Sequence, residues 1–332
     1  VELTVVLQRS REQRRHLIEE ESQVGEARRD AQRLAMAYGL DDTQTGRVAI
    51  AATELATNLY RHGGGGQLLL QPIKAGDREA IELLAIDKGR GMSDVGRCLG
   101  DGYSTGGTAG TGLGAVRRLA VEFDIHSVPG EGTVVMARVG AVAGSRFGAI
   151  SIPVQGETEC GDGWALAQDH DWTTLMVVDG LGHGSFAAAA AEGALRIFAD
   201  TPTQSPRDLL ERAHRALGST RGAAAAVARL TATGTVSYAG IGNICGCLVN
   251  AAKSQGLISH NGTLGLTMPR LQQFEYQRAP ESFLVMHSDG ISARWDLGKD
   301  ASLRQRHPAI IAAVLYRDHA RARDDATVVV LN

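Results

Sequence analysis

Four aspartate-bearing segments in the second half of the chain have residue types and spacing suited to holding hard metal ions for hydrolytic chemistry. They are Cys160-Gly161-Asp162, Val178-Asp179-Gly180-Leu181-Gly182-His183-Gly184, His287-Ser288-Asp289-Gly290 and Arg323-Asp324-Asp325-Ala326-Thr327. Each sets a carboxylate at the edge of an apolar run that reads as a strand, such as 174–178 or 283–286. Strand ends gathered at one rim of a packed sheet bring distant carboxylates together, and such a cluster needs positive charge to join it. A pair of hard divalent cations, Mg²⁺ or Mn²⁺, supplies that charge and prefers oxygen ligands. This half of the chain is expected to build a two-metal hydrolytic centre. Isolated Asp-Gly dipeptides are ordinary turn signals. Their order and strand context carry the reading.

The first half holds a different set of groups. On a helix expected over 45–61, Glu54 and Asn58 stand four residues apart and so share a face. Val48, Ala52, Leu55 and Leu59 form the apolar side of the same helix. Asp87 follows a strand-like run and precedes Gly89 and Gly91, where backbone can approach a ligand while the carboxylate accepts a hydrogen bond. Gly110-Thr111-Gly112-Leu113-Gly114 then opens a helix whose free N–H groups suit phosphate. Each piece alone is a common turn or cap. Their sequence order points to a nucleotide site.

These groups need elements to hold them. Periodicity predicts helices over 22–39, 45–61 and 114–123, with strands over 68–72, 81–86 and 133–139. A small-residue bridge, Gly140 to Ser145, divides the chain into domains 1–140 and 145–332. Beyond it come short strands, interrupted by helices expected over 185–198, 206–217 and 301–316. Asn243, near a strand bend, is expected to satisfy backbone groups.

A length of 332 residues suits two domains, and a net charge of -3 gives no electrostatic case for nucleic acid or an anionic membrane. Cys98, Cys160, Cys245 and Cys247 form neither a zinc-like pair of CxxC elements nor a disulfide framework. No apolar run reaches the length of about 18 residues that a membrane span needs. A cytoplasmic protein is expected.

The segments Ala52-Thr53-Glu54-Leu55-Ala56-Thr57-Asn58-Leu59-Tyr60-Arg61-His62, Gly102-Tyr103-Ser104-Thr105 and Gly112-Leu113-Gly114-Ala115-Val116-Arg117-Arg118-Leu119 resemble the GHKL ATPases. So do Glu122 to Ile125 and Pro129-Gly130-Glu131-Gly132-Thr133. The closest resemblance is to the RsbT-type serine kinases and anti-sigma factors of bacterial partner-switching systems. It implies an ATP-binding α/β sandwich in which Asn58 helps hold Mg²⁺ on the triphosphate and Asp87 reads the adenine amino group. Gly89, Gly91, Gly110, Gly112, Gly114 and Thr133 would line the nucleotide. Glu54 would be the base that activates a serine or threonine.

From about residue 145 onward the chain resembles the SpoIIE/RsbX-type metal-dependent serine/threonine phosphatases, and the run Asp179 to Gly184 is similar to the RsbX branch. Cys160 stands where that family shows glycine. The resemblance implies a PPM-type α-β-β-α sandwich following the GHKL-type α/β sandwich. Asp179 would bridge two Mn²⁺ or Mg²⁺ ions, with Asp162 and the Gly180 carbonyl completing one site and Asp289 and Asp324 the other. Asp325 could take the place of Asp324. His183 would donate a proton to the leaving serine oxygen or hold the groups that do.

Three functions follow from the resemblance. The chain phosphorylates and dephosphorylates STAS-domain antagonist or scaffold proteins; or it is a phosphatase biased by a non-catalytic ATP sensor; or its first half is chiefly a binding module that sequesters a sigma factor or docks on a stressosome-like assembly.

Overall fold

The computed structural model describes residues 6–10, 13–99, 112–279, 281–298 and 300–332. Gly110, Thr111 and the 102–105 segment lie outside the described residues. Along the chain come β1 (Val6–Arg9), β2 (Arg14–Ile18), α1 (Glu21–Ala37), α2 (Asp42–His62), β3 (Gly66–Ala75) and β4 (Arg78–Ile86). Next are α3 (Val95–Cys98), α4 (Gly112–Leu119), β5 (Glu122–Val128), β6 (Gly132–Gly140), β7 (Phe147–Ile152), β8 (Asp162–Gln168) and β9 (Trp172–Gly180). Then follow α5 (Ser185–Asp200), α6 (Pro206–Ala216), β10 (Ala223–Thr231), β11 (Thr235–Ile241), β12 (Cys245–Val249) and β13 (Ser254–Gly256). The chain closes with β14 (Phe274–Gln277), β15 (Phe283–His287), α7 (Ala301–Arg304), α8 (Pro308–His319) and β16 (Ala326–Leu331).

Two compact units result. The larger takes β1, Phe147–Arg304 and Asp318–Asn332; the smaller takes β2 through Arg146 together with Gln305–Arg317.

In the smaller unit an antiparallel sheet runs in the order β2-β3-β4-β6-β5. Alternation along its strands gives it two faces. Leu68, Leu70, Ile81, Leu83, Ala85, Val135 and Ala137 meet α1 and α2 through Ala31, Leu34, Val48, Ala52, Leu55 and Leu59. Asp41 caps α2 by accepting from the Gln44 N–H at 2.7 Å, which fixes where that helix starts and so where Glu54 and Asn58 stand. The opposite face, with Leu69, Ile73, Leu84, Ile86, Val134 and Met136, is buried as well. On this face α8 and the residue before it reach two strands, β3 and β5: Tyr316 Oη donates to Gln67 at 3.1 Å, and the His307 N–H donates to Asp124 at 2.7 Å.

The larger unit stacks an antiparallel sheet β1-β8-β9-β10-β11-β14 on a second, β13-β12-β15-β16-β7. Phe147 and Trp164 meet between the sheets with ring centroids 5.7 Å apart. The alanine-rich α5 and the Ser205-capped α6 cover the first sheet, packing Ala191, Ala194, Leu195, Phe198, Leu209 and Leu210 on Ala165, Met176, Val178, Ala225 and Val227. A Cβ on Gly180 would lie 2.2 Å from the Ala187 carbonyl oxygen, so glycine lets the end of β9 run tightly beneath α5.

Two expected helices differ. The pattern over 114–123 ends as helix at Leu119, and Glu122 and Phe123 belong to β5, where Glu122 pairs across to Arg138. The pattern over 301–316 breaks into α7 and α8, because Pro308 disfavours helical backbone at the residue before it and then starts the next helix itself.

Candidate active sites

In the smaller unit Glu54, Asn58, Asp87, Gly91, Gly112 and Thr133 all line one cavity of about 630 Å³. That volume suits a nucleotide-sized ligand. A Cβ on Gly112 would lie 3.3 Å from Glu54 Oε2 and 3.6 Å from Asn58 Oδ1, so the start of α4 faces both side chains of α2. Asn58 Nδ2 is buried and has no hydrogen-bond partner among the described residues. A buried amide donor in that state is costly unless a ligand completes it.

Asp87 Oδ1 accepts from the Gly89 N–H at 2.8 Å and the Thr133 N–H at 3.1 Å. Among the described residues no donor reaches Oδ2. Burial raises the Asp87 pKa, against those two N–H groups and the nearby charge of Arg317. Gly89 and Gly91 make this possible: Cβ atoms there would lie 2.7 Å from the Gly63 oxygen and 2.1 Å from the Val128 oxygen. Arg90 and Cys98 also line the cavity. Arg90 sits in the glycine segment and could have been suspected; Arg317, far along the chain, had no sequence signal.

In the larger unit Asp162 and Asp179 are direct partners in the β8–β9 ladder. Like charges opposite each other on neighbouring strands repel. Asp162 is buried and its Oδ2 accepts from Ser288 Oγ at 2.5 Å; burial and then Asp179 push its pKa well above the usual carboxylate range. The Asp179 carboxyl is pushed up to about 7, first by burial and then by Asp289 and Asp324. Asp324 is raised by burial and then by Asp289. Asp325 is held differently, accepting from the Val154 N–H at 2.7 Å and the Gly161 N–H at 2.8 Å.

Sequence reasoning missed three neighbours. Asn243, expected to serve backbone, donates from Nδ2 to Asp289 Oδ2 at 2.7 Å. Ser288 orients Asp162, and Glu157 pairs with His183 Nδ1 at 2.7 Å. His183 itself stands exposed on the loop after β9. Among the described residues no three His, Cys, Asp or Glu side chains converge closely enough to chelate one ion. The aspartates sense each other as charges, and their all-oxygen donor set fits a hard divalent cation.

A GHKL-type nucleotide fold and a PP2C-type phosphatase fold are thus joined in one chain. Residues 18–138 match the histidine kinase-like ATPase domain family, and residues 169–332 match the Stage II sporulation protein E (SpoIIE) family. Serine/threonine-protein kinase RsbT of Bacillus subtilis (strain 168) is 35% identical over 111 residues, covering 33% of this chain and 84% of that relative. The chain belongs to the RsbT family through its ATPase domain and carries a SpoIIE-type serine/threonine phosphatase domain after it.

Among solved structures, one from work on the bacterial stressosome as a modular system controlling secondary messenger signalling is 28% identical. It has a TM-score of 0.53 and covers 56% of this chain and 98% of its own. The PP2C domain of SpoIIE from Bacillus subtilis, with a fragment of its regulatory domain, shares the fold at 13% identity. Its TM-score is 0.50, with 93% of this chain and 92% of that chain covered. These domains imply use of a nucleotide and of divalent metal. No helix among the described residues is long and apolar enough to cross a membrane.

Proposed function

We propose that the chain is a bifunctional partner-switching regulator. Its phosphatase unit removes phosphate from a serine or threonine of a STAS-domain protein, and its ATPase unit phosphorylates a protein of the same pathway. The observation that carries the phosphatase reading is the cross-strand pair Asp162–Asp179, with Asp289 and Asp324 near enough to raise the Asp179 pKa. Asp179, Asp162, Asp289, Asp324 and the Gly180 carbonyl would hold two Mn²⁺ or Mg²⁺ ions. When bound, these supply the positive charge and the acidified water that phosphoester hydrolysis needs.

The remaining work falls to the chain's own side chains. Ser288 and Asn243 fix the rotamers of Asp162 and Asp289 through their hydrogen bonds. Glu157 holds the His183 ring at Nδ1, which leaves Nε2 to protonate the departing serine oxygen. In the ATPase unit Asp87 Oδ2 would take the adenine amino group, and Asn58 would hold Mg²⁺ on the triphosphate. Glu54, beside Gly112 and Asn58, would accept the proton of the attacking hydroxyl. A sigma factor is a further partner that this pathway class would supply, and the cytoplasm its place.

One observation favours a second reading, in which the ATPase unit senses nucleotide. Arg317, near the end of α8, acts on Asp87, and the chain runs on from it to Asp324. A change in charge at Asp87 would then bear on the segment leading to the metal ligands.

Phosphate release from a phosphorylated STAS-domain protein with Mn²⁺ separates these readings. Wild type should release phosphate and Asp179→Ala should not. With the unphosphorylated protein and ATP, wild type should transfer phosphate and Glu54→Ala should not. If ATP alters release while Glu54→Ala transfers as wild type does, the sensor reading replaces the kinase. No release under any condition would sink the phosphatase.

A further inference from the structure

Three large apolar side chains stand exposed around the strand end that carries Asp179. Leu181 is 42% exposed, Phe186 66% and Leu266 59%. Exposed apolar groups gathered in one place, rimmed by charge, mark interaction surfaces.

Their grouping is built by the backbone. Leu181 directly follows the β9 end, and its N–H donates to the Gly222 carbonyl at 3.0 Å. Gly180 is paired with Ala223 on β10, and Ala223 exchanges backbone hydrogen bonds of 3.2 and 2.8 Å with Leu264. Leu266 therefore lies on the loop next to Gly222, where an added Cβ would come within 3.3 Å of the Leu266 Cγ. Gly222 holds φ at +85°, and its missing side chain leaves that approach open. Phe186 sits in the first turn of α5, just beyond the His183 loop.

Arg221 joins these residues. Its guanidinium carbon lies 4.7 Å from the Phe186 ring centroid, and Nη1 comes within 3.2 Å of where a Gly182 Cβ would stand. It is exposed, and among the described residues no carboxylate pairs with it. An arginine held over an aromatic ring by its cationic charge still has N–H donors to offer an incoming anion. Aromatic and arginine side chains together are the types that dominate protein recognition.

We propose that Leu181, Phe186, Leu266 and Arg221 form a docking ledge for the polypeptide of the phosphoprotein substrate. An apolar side chain of that polypeptide rests on Leu181, Phe186 and Leu266. Arg221 pairs with a carboxylate flanking the phosphorylated serine or threonine. The inference rests on the phosphatase reading of the adjoining aspartates, and adds the features by which that centre selects its substrate. Among the described residues the ledge offers an unpaired cation next to its apolar groups, so the segment it selects is one with a carboxylate near the phosphate.

Three substrates test this with the full chain and Mn²⁺. They are p-nitrophenyl phosphate, a synthetic phosphoserine peptide with leucine and aspartate beside the phosphoserine, and its twin with lysine in place of that aspartate. Wild type should prefer the aspartate peptide to the lysine twin by about ten-fold in kcat/KM. Arg221→Glu should erase or reverse that preference. Phe186→Ala should lower kcat/KM for both peptides by about ten-fold, through KM. Hydrolysis of p-nitrophenyl phosphate, which has no polypeptide to dock, should stay within about two-fold in both variants.

A wild type that hydrolyses all three substrates but does not distinguish the peptides overturns the ledge alone. Variants that lower all three equally overturn it too, because that pattern reports damage to the centre itself. A wild type unable to hydrolyse even p-nitrophenyl phosphate overturns the phosphatase reading on which the ledge rests.

Discussion

Both oxygens of Asp325 are taken up by backbone N–H groups, those of Val154 and Gly161, while Asp324 next to it is half-buried and feels the charge of Asp289. The two acids should therefore fail differently. Asp325→Ala leaves two N–H groups without an acceptor, at about 1–3 kcal/mol for each buried group. It should lower the melting temperature of the phosphatase unit by several degrees even in EDTA. Asp324→Ala removes a like charge from the cluster and should leave that temperature unchanged or slightly raised, yet abolish Mn²⁺-dependent phosphate release. Melting in EDTA beside activity in Mn²⁺ checks both; equal destabilisation would remove the distinction. The sequence left this pair open for a physical reason. An acid beside an acid looks the same to local patterning, and the deciding partners lie 171 and 164 residues away. What was legible was the strand-end position of Asp162, Asp179 and Asp289, because alternation and a following glycine are local. Asn243 was misjudged for the converse reason: its partner Asp289 is 46 residues away.

At the scale of elements, the start of α8 shows how a proton count enters stability. His307 Nε2 donates to the Ser145 carbonyl at 2.9 Å, and Nδ1 accepts from the Ala309 N–H at 3.1 Å. These partners require a neutral ring, since a proton on Nδ1 would face another donor. Burial and then Arg138 lower the His307 pKa, with Glu82 and Glu122 opposing. The unfolded chain binds this proton near the ordinary histidine value of about 6.5, and the folded unit resists it. Its contribution is thus fully present above that value and is lost as pH falls toward the lower folded value. The buried carboxyl of Asp87 is shifted in the opposite sense, so the informative quantity is a difference between variants. From pH 7.5 to 5.5, wild type should lose more melting temperature than His307→Gln, followed by a probe of the ATPase unit. Parallel pH profiles would show that the ring does not titrate on unfolding. The sequence pattern carried a helix over 301–316 without its break, because apolar spacing continues past the position where proline interrupts the backbone.

Over the whole molecule, chain order and compact units do not coincide. The bridge from Gly140 to Ser145 is visible in composition, and β6 ends at Gly140 while β7 starts at Phe147. Nothing local in the sequence says that Gln305–Arg317 belongs with the ATPase unit, or that β1 pairs with β8 of the phosphatase unit. The consequence can be measured. On the sheet face away from α1 and α2, Leu69, Ile73, Leu84, Ile86, Val134 and Met136 are buried, and Tyr316 of α8 and His307 just before it bond to Gln67 and Asp124 of that same face. Burying one such side chain stabilises by about 1.5–3 kcal/mol, so a helix covering half of the set contributes on the order of 5 kcal/mol. That matches the lower end of the whole stability of an ordinary domain, about 5–15 kcal/mol. A fragment of residues 13–146, which ends with the first stretch of the smaller unit and lacks α8, should therefore aggregate or bind a hydrophobic dye strongly. Appending residues 305–319 through a flexible glycine-serine linker should restore a cooperative melt and lower dye binding. A Tyr316→Phe version of the appended segment should restore most of it, because the Gln67 hydrogen bond is small beside the apolar area covered. If the bare fragment melts cooperatively with little dye binding, the covering of this face does not hold the ATPase unit together, and the allegiance of α8 must serve another purpose.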